Sequence, residues 1–146
     1  MYKRILIATD GSKLANKAVT SGIALAVSLD AEIVAFMAAT RYPVAYDEGA
    51  VVLATKETAR IEKESRNNAQ AVLDQIRDES HLHDVKAFTA LGRGPVAEGI
   101  ISAAKKHKCD LIVMASHGRK GIKRILLGSE TLDVLTHSHI PVLVLK

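Results

Sequence analysis

The chain has no tryptophan, only two phenylalanines and three tyrosines among its 146 residues. So thin an aromatic complement excludes a convincing base-stacking platform for single-stranded nucleic acid. A single cysteine, Cys109, rules out an internal disulfide, which fits a reducing compartment. Its place at a helix-to-strand turn makes it a small packing residue, not a catalytic thiol. Long apolar runs are missing too: none approaches a membrane span. Asp10 interrupts the apolar run that follows the basic residues Lys3 and Arg4, so the opening stretch is not read as a signal peptide. The cytoplasm is the expected location. The histidines stand singly (His107, His117) or in pairs two apart (His81/His83, His137/His139). No cysteine or acidic cluster joins them to complete a zinc site.

What is present is ordinary globular composition: 48% apolar and 25% charged residues. One domain over residues 1–146 is expected, large enough for a core without disulfides or metal. The net charge of +4 invites a nucleic-acid reading. Acidic residues are spread along the chain, however, so that partner is not favoured.

Lys3–Asp10 reads as strand one, around the fully apolar Ile5-Leu6-Ile7-Ala8. Ser12 is a helix N-cap, and Leu14, Ala18, Gly22, Leu25, Ala26 and Leu29 recur at helical spacing up to Asp30. Glu32–Ala39 is strand two, and Thr40–Ala50, with Pro43, Gly49 and two tyrosines, is a loop. A long helix then runs to about Ser80 with Ile61, Ser65, Ala69, Val72, Leu73 and Ile76 inward. Val85–Ala90 is strand three, its mixed polarity suiting an edge. Gly92-Arg93-Gly94-Pro95 is a turn, with Pro95 at the first helical position. Val96, Ile100, Ala103, Ala104 and His107 form the next inner face. Leu111–Ala115 is strand four, a short helix covers about Ser129–His137, and Pro141–Leu145 is strand five. Strands alternating with helices require a parallel sheet with right-handed crossovers, hence a three-layer α/β domain. Such sheets bind ligands beyond the carboxyl ends of their strands.

Chemistry concentrates after strand four, in Met114–Ser129. Ala115, Ser116 and Gly118 allow close approach to the main chain. A helix starting near Ser129 would aim its N–H groups and the Ser129 hydroxyl at an anion. Arg119, Lys120, Lys123 and Arg124 place four cations within six residues. A solvated surface is the plain alternative, yet the combination suits phosphate. Asp10, ending strand one, could accept from a ribose or help hold Mg²⁺ with Ser129; the plainer role is capping the first helical turn. Gly92-Arg93-Gly94-Pro95-Val96-Ala97 formally fits a dinucleotide fingerprint. Strand four ends Met114-Ala115-Ser116, without the acid that would complete it, so an NAD site is rejected. No P-loop is present, and Ser116 lacks the Gly-x-Ser-x-Gly pattern of a nucleophile elbow.

The stretch resembles the nucleotide-binding signature of the universal stress protein family: glycine, two residues, glycine, nine residues, then glycine and serine or threonine. Gly118, the nine residues Arg119–Leu127 and Gly128-Ser129 fit, while Ala115 replaces the first glycine. The resemblance extends from Lys3–Ser12 to Pro141–Leu145. It implies the strand order 3-2-1-4-5, as in adenine nucleotide alpha hydrolase-like folds, with strands one and four adjacent. It also implies a crevice binding ATP or another adenine nucleotide, with the adenosine over Ala8, Thr9, Asp10 and Ala38. Met114, Ala115, Ser116, His117, Gly118, Arg119, Gly128, Ser129 and Glu130 would complete the site. With no water-positioning acid or arginine finger evident, sensing or slow hydrolysis is expected rather than fast turnover. The implied order makes strand five an apolar edge, so a homodimer through Pro141, Val142, Leu143, Val144 and Leu145 is expected. The alternative is an interaction module of the same fold that binds no nucleotide and acts on an unidentified protein partner.

Overall fold

The computed structural model describes residues 1–39, 51–118 and 127–146. The order is β1 (Arg4–Ala8), α1 (Lys13–Leu29), β2 (Glu32–Ala39), α2 (Val51–Leu82), β3 (Ala87–Arg93), α3 (Val96–Lys106), β4 (Leu111–Ala115), α4 (Ser129–His137) and β5 (Val142–Leu145). The strands form one parallel sheet in the order β3-β2-β1-β4-β5. The expected fold is therefore observed. The expected Thr40–Ala50 loop and the basic residues Arg119 to Arg124 lie outside the described residues.

Strand alternation sorts the core into two layers. Ile5, Ile7, Ile33, Ala35, Val113 and Ala115 face α1 and α2, meeting Ala18, Val19, Ile23, Leu73 and Ile76. Leu6, Ala8, Val34, Phe36, Ile112 and Met114 face α3 and α4, meeting Ile100, Ala103, Ala104 and Val134. Ile5, Leu6 and Ile7 are completely buried, and each such side chain contributes about 1.5–3 kcal/mol. That explains the continuous apolar reading of β1: both faces are covered.

Helix α1 starts as expected, the Ala15 N–H donating to Ser12 Oγ (3.2 Å), and ends at Asp30 in a left-handed cap. Its buried stripe is Ala15, Ala18, Val19, Gly22, Ile23 and Ala26. Leu14, Leu25 and Leu29 are only partly buried flanks, a correction to the expected stripe. Gly22 lies so close to β1 that an added Cβ would sit 2.6 Å from Ile7 Cδ1, and a leucine-centred stripe could not approach so far.

Strand β3 also differs. It begins at Ala87 and continues through Leu91, Gly92 and Arg93, paired with Met37, Ala38 and Ala39. The expected turn shrinks to Gly94, which takes φ +95°, and Pro95, which caps α3 instead of opening it. Val96 is 38% exposed at the crevice and His107 is the C-cap, so neither is an inner-face core residue. Pro141 precedes β5, and its carbonyl accepts from the Ile112 N–H (2.9 Å). At the amino end of the sheet, Arg4 pairs with Glu32 and donates to the His107 carbonyl (2.9 Å), while Lys86 pairs with Glu32 (3.0 Å). These hydrogen bonds, Lys86 before Arg4, hold the Glu32 carboxyl below its ordinary range.

Candidate nucleotide crevice

The carboxyl ends of β1 and β4 lie side by side, and the two turns that leave them meet. After β1, the Thr9 N–H donates to the Phe36 carbonyl (2.9 Å) and the Gly11 N–H to Thr9 Oγ1 (3.1 Å). Asp10 Oδ1 accepts from the Ser12 N–H at 2.9 Å, so the capping role is present. Its other oxygen lies against Gly118: a Cβ there would be 2.4 Å from Asp10 Oδ2. Gly118 thus makes room for Asp10, whose carboxylate caps the β1–α1 turn and packs against the turn after β4.

Beyond β4 the chain is pinned at Ser116. Its N–H donates to the Leu145 carbonyl (2.7 Å), and its carbonyl accepts from the Gly128 N–H (2.7 Å). The second bond draws the far end of the signature stretch back to β4. Gly128 permits this, since an added Cβ would sit 3.1 Å from His117 Cβ and 3.4 Å from the Ser116 carbonyl. Thr131, one turn into α4, donates from Oγ1 to the Ala115 carbonyl (3.0 Å) and is 2% exposed. The start of α4 is therefore held to the end of β4 by a backbone and a side-chain bond.

Among the described residues, the crevice is lined by Ala8, Thr9, Asp10 and Ala38 from one side. Met114, Ala115, His117, Gly118 and Glu130 line the other. Nine expected site residues are thus brought together. Ser116 is not among them: it is 1% exposed and its hydroxyl meets His117 Nδ1 at 3.0 Å. Gly128 and Ser129 start α4 beside the crevice without lining it, and Arg119 lies outside the described residues. Five lining residues were missed: Ala15, Phe36, Val96, Ile100 and Thr131. Strand alternation from Ala38 points to Phe36, and helical spacing from Ile100 points to Val96. Thr131 gave no such signal.

Asp10 and Glu130 supply acceptors suited to ribose hydroxyls, and Ala8, Phe36 and Met114 supply an apolar floor. The Ser129 hydroxyl donates to Glu130 Oε2 (2.9 Å), placing a carboxylate in the first turn of α4, where the helix dipole favours it. Ala115 belongs to the buried cluster on the α1 side, which also holds Ile7, Ala18 and Val113, and it lines the crevice as well. Cys109 is buried, and its thiol is pushed up to about 11 by desolvation, the state of an inert packing residue. The described residues hold no cluster of three metal-ligating side chains, and none of their helices is long and apolar enough to cross a membrane.

A sequence model of the universal stress protein family matches residues 1–146. Universal stress protein MJ0531 of Methanocaldococcus jannaschii is 34% identical over 146 residues, spanning 100% of this chain and 83% of that protein. The solved structure of hypothetical protein MJ0577 superposes with a TM-score of 0.84 at 29% identity, covering 100% of this chain and 96% of the other. Two further solved structures share the fold. A universal stress protein in complex with cAMP has a TM-score of 0.70 at 22% identity, covering 99% and 97% of the two chains. One from Archaeoglobus fulgidus in complex with dAMP has a TM-score of 0.65 at 18% identity, covering 99% and 98%.

Proposed function

Because the chain belongs to the universal stress protein family, we propose that it binds an adenine nucleotide, ATP with Mg²⁺, in the crevice between β1 and β4. It acts in the cytoplasm as a single-domain, nucleotide-dependent regulator of a stress response. The observation that carries this reading is the Gly128 N–H bond to the Ser116 carbonyl, which brings the amino end of α4 to the mouth of the crevice. Backbone N–H groups there suit phosphate oxygens. The adenosine lies over Ala8 and Ala38, with ribose hydroxyls donating to Asp10. That fold relatives hold cAMP and dAMP supports an adenine ligand.

Two carboxylates, Asp10 and Glu130, line this crevice, so a polyphosphate enters far better with a divalent cation than without one. Asp10 and Ser129 are the groups to hold it beside the phosphates. By strand alternation Ala115 falls in the buried layer on the α1 side, which favours tolerance of this departure from the family signature. The Ser116 hydroxyl is buried, which leaves it out of reach of a bound phosphate.

The competing reading is a module of the same fold that binds no nucleotide. Glu130 favours it, because a carboxylate in the first turn of α4 puts a negative charge where a phosphate would sit. Calorimetric titration of nucleotide-free protein separates the two. Micromolar ATP binding with Mg²⁺, weakened by EDTA, is the expected result; no heat under either condition selects the interaction module.

A further inference from the structure

Phe36 occupies an unusual seat. Its side chain lies on the α3/α4 face of the sheet, opposite Ala8 in the β1–β2 register, and is 2% exposed. The ring leans away from Ala8, over β3 and under α3. A Cβ added to Gly92 would fall 2.4 Å from its Cζ, and one added to Gly99 would fall 3.0 Å from the same atom. The ring therefore fills the space two side chains would otherwise claim. Gly99 lies inside α3, where glycine is a poor helix former, so its presence needs a packing reason. Phe36 also lines the groove outside β3 as well as the crevice, so the ring is the wall between two hollows.

We propose that Phe36, seated by Gly92 and Gly99, is a specificity-determining residue that sets the depth of the crevice at its Ala8–Ala38 end and so the size of the group admitted there. The inference rests on the nucleotide reading of the crevice and names its selectivity: an unsubstituted purine nucleoside end is admitted, one carrying a bulky apolar substituent is rejected. The two glycines keep the ring back so that the space over Ala8 stays open. A methyl group at either position drives the ring toward Ala8. Shortening Phe36 deepens the crevice toward β3.

The test uses the whole chain with adenosine, and with adenosines bearing a benzyl group at N6, C2 or C8. Wild type binds adenosine and rejects all three analogues. Phe36→Leu gains at least about tenfold for one analogue relative to adenosine, the scale on which small apolar pockets discriminate. Gly99→Ala loses about tenfold in adenosine affinity, and Phe36→Leu in the same chain restores it and admits the same benzyl analogue, a gain that relief of helix packing alone would not give. No gain at any of the three positions, or a Gly99→Ala loss that Phe36→Leu leaves in place, overturns the proposal. If wild type binds no adenine nucleoside or nucleotide, the nucleotide reading has failed separately. Xenon then decides the role of the ring. Shifts of the Ala8 and Met114 methyl resonances under xenon in Phe36→Leu, absent in wild type, support it; their absence from both overturns it.

Discussion

Gly118 shows how one residue position carries two demands. The signature explains glycine there by ligand approach, whereas the structure places the Asp10 carboxylate in the space a side chain would take. Gly118→Val therefore acts first on Asp10, displacing its carboxylate from the space between the turns after β1 and β4. It should abolish nucleotide binding and destabilise the fold by about 1 kcal/mol. Calorimetry and urea unfolding check both, and unchanged affinity would count heavily against the site. Glu32 gives a residue-scale prediction away from the crevice. Its folded-state pKa lies below the ordinary value of 4.5 because Lys86 and Arg4 stabilise the charged form. Its contribution is thus fully present above that value and is lost as pH falls through the lowered one. The stability gap between wild type and Glu32→Gln should shrink as pH falls below 4.5 and through the lowered value, read from urea midpoints. A constant gap would mean that charge has no part in it.

At the scale of elements, the start of α4 depends on being tied to β4. Thr131 is buried and its hydroxyl donates to the Ala115 carbonyl. Thr131→Val keeps the shape but removes the donor, so urea unfolding should show a loss of about 1–3 kcal/mol, the cost of a buried polar group left without its partner. Nucleotide affinity should fall with it, since the helix end is no longer fixed; full stability would show that another donor replaces Thr131. Neither the bond nor its partner could be read from the chain, because Thr131 and Ala115 are joined only by the fold. The five strands and their helices, by contrast, were legible from apolar runs and turn residues. An error fell where glycine was read as a breaker: Gly92 belongs inside β3 because Phe36 needs its missing side chain, whereas Gly22 was legible on the inward stripe of α1, where Ile7 takes the same kind of space. Glycine reads the same in sequence whether it turns a chain or yields to a neighbour. Nine of the crevice residues were legible because the signature and the strand ends converge on one place; Phe36 and Thr131 come from the packing around it.

For the whole molecule, the sheet ends in two edges, β3 and β5. On β5, Leu143 is 40% exposed, and Leu132 and Leu135 of α4 are exposed at 54% and 40%. Among the described residues no strand pairs with the outer edge of β5, and apolar groups beside such an edge suit a second copy across a two-fold axis, the dimer we propose through Pro141–Leu145. Leu143→Lys should then yield a monomer in sedimentation with the fold intact; an unchanged dimer would move the interface elsewhere, and a monomeric wild type would remove it.

Denaturing protein purified without added nucleotide, and identifying by chromatography and mass any small molecule released, shows whether this chain is a working nucleotide-binding member of its family. Stoichiometric adenine nucleotide is the predicted result, and stripped protein should rebind ATP with Mg²⁺. An empty protein that also fails to take up ATP would contradict the account and leave the fold as the inheritance, with a protein partner as its object.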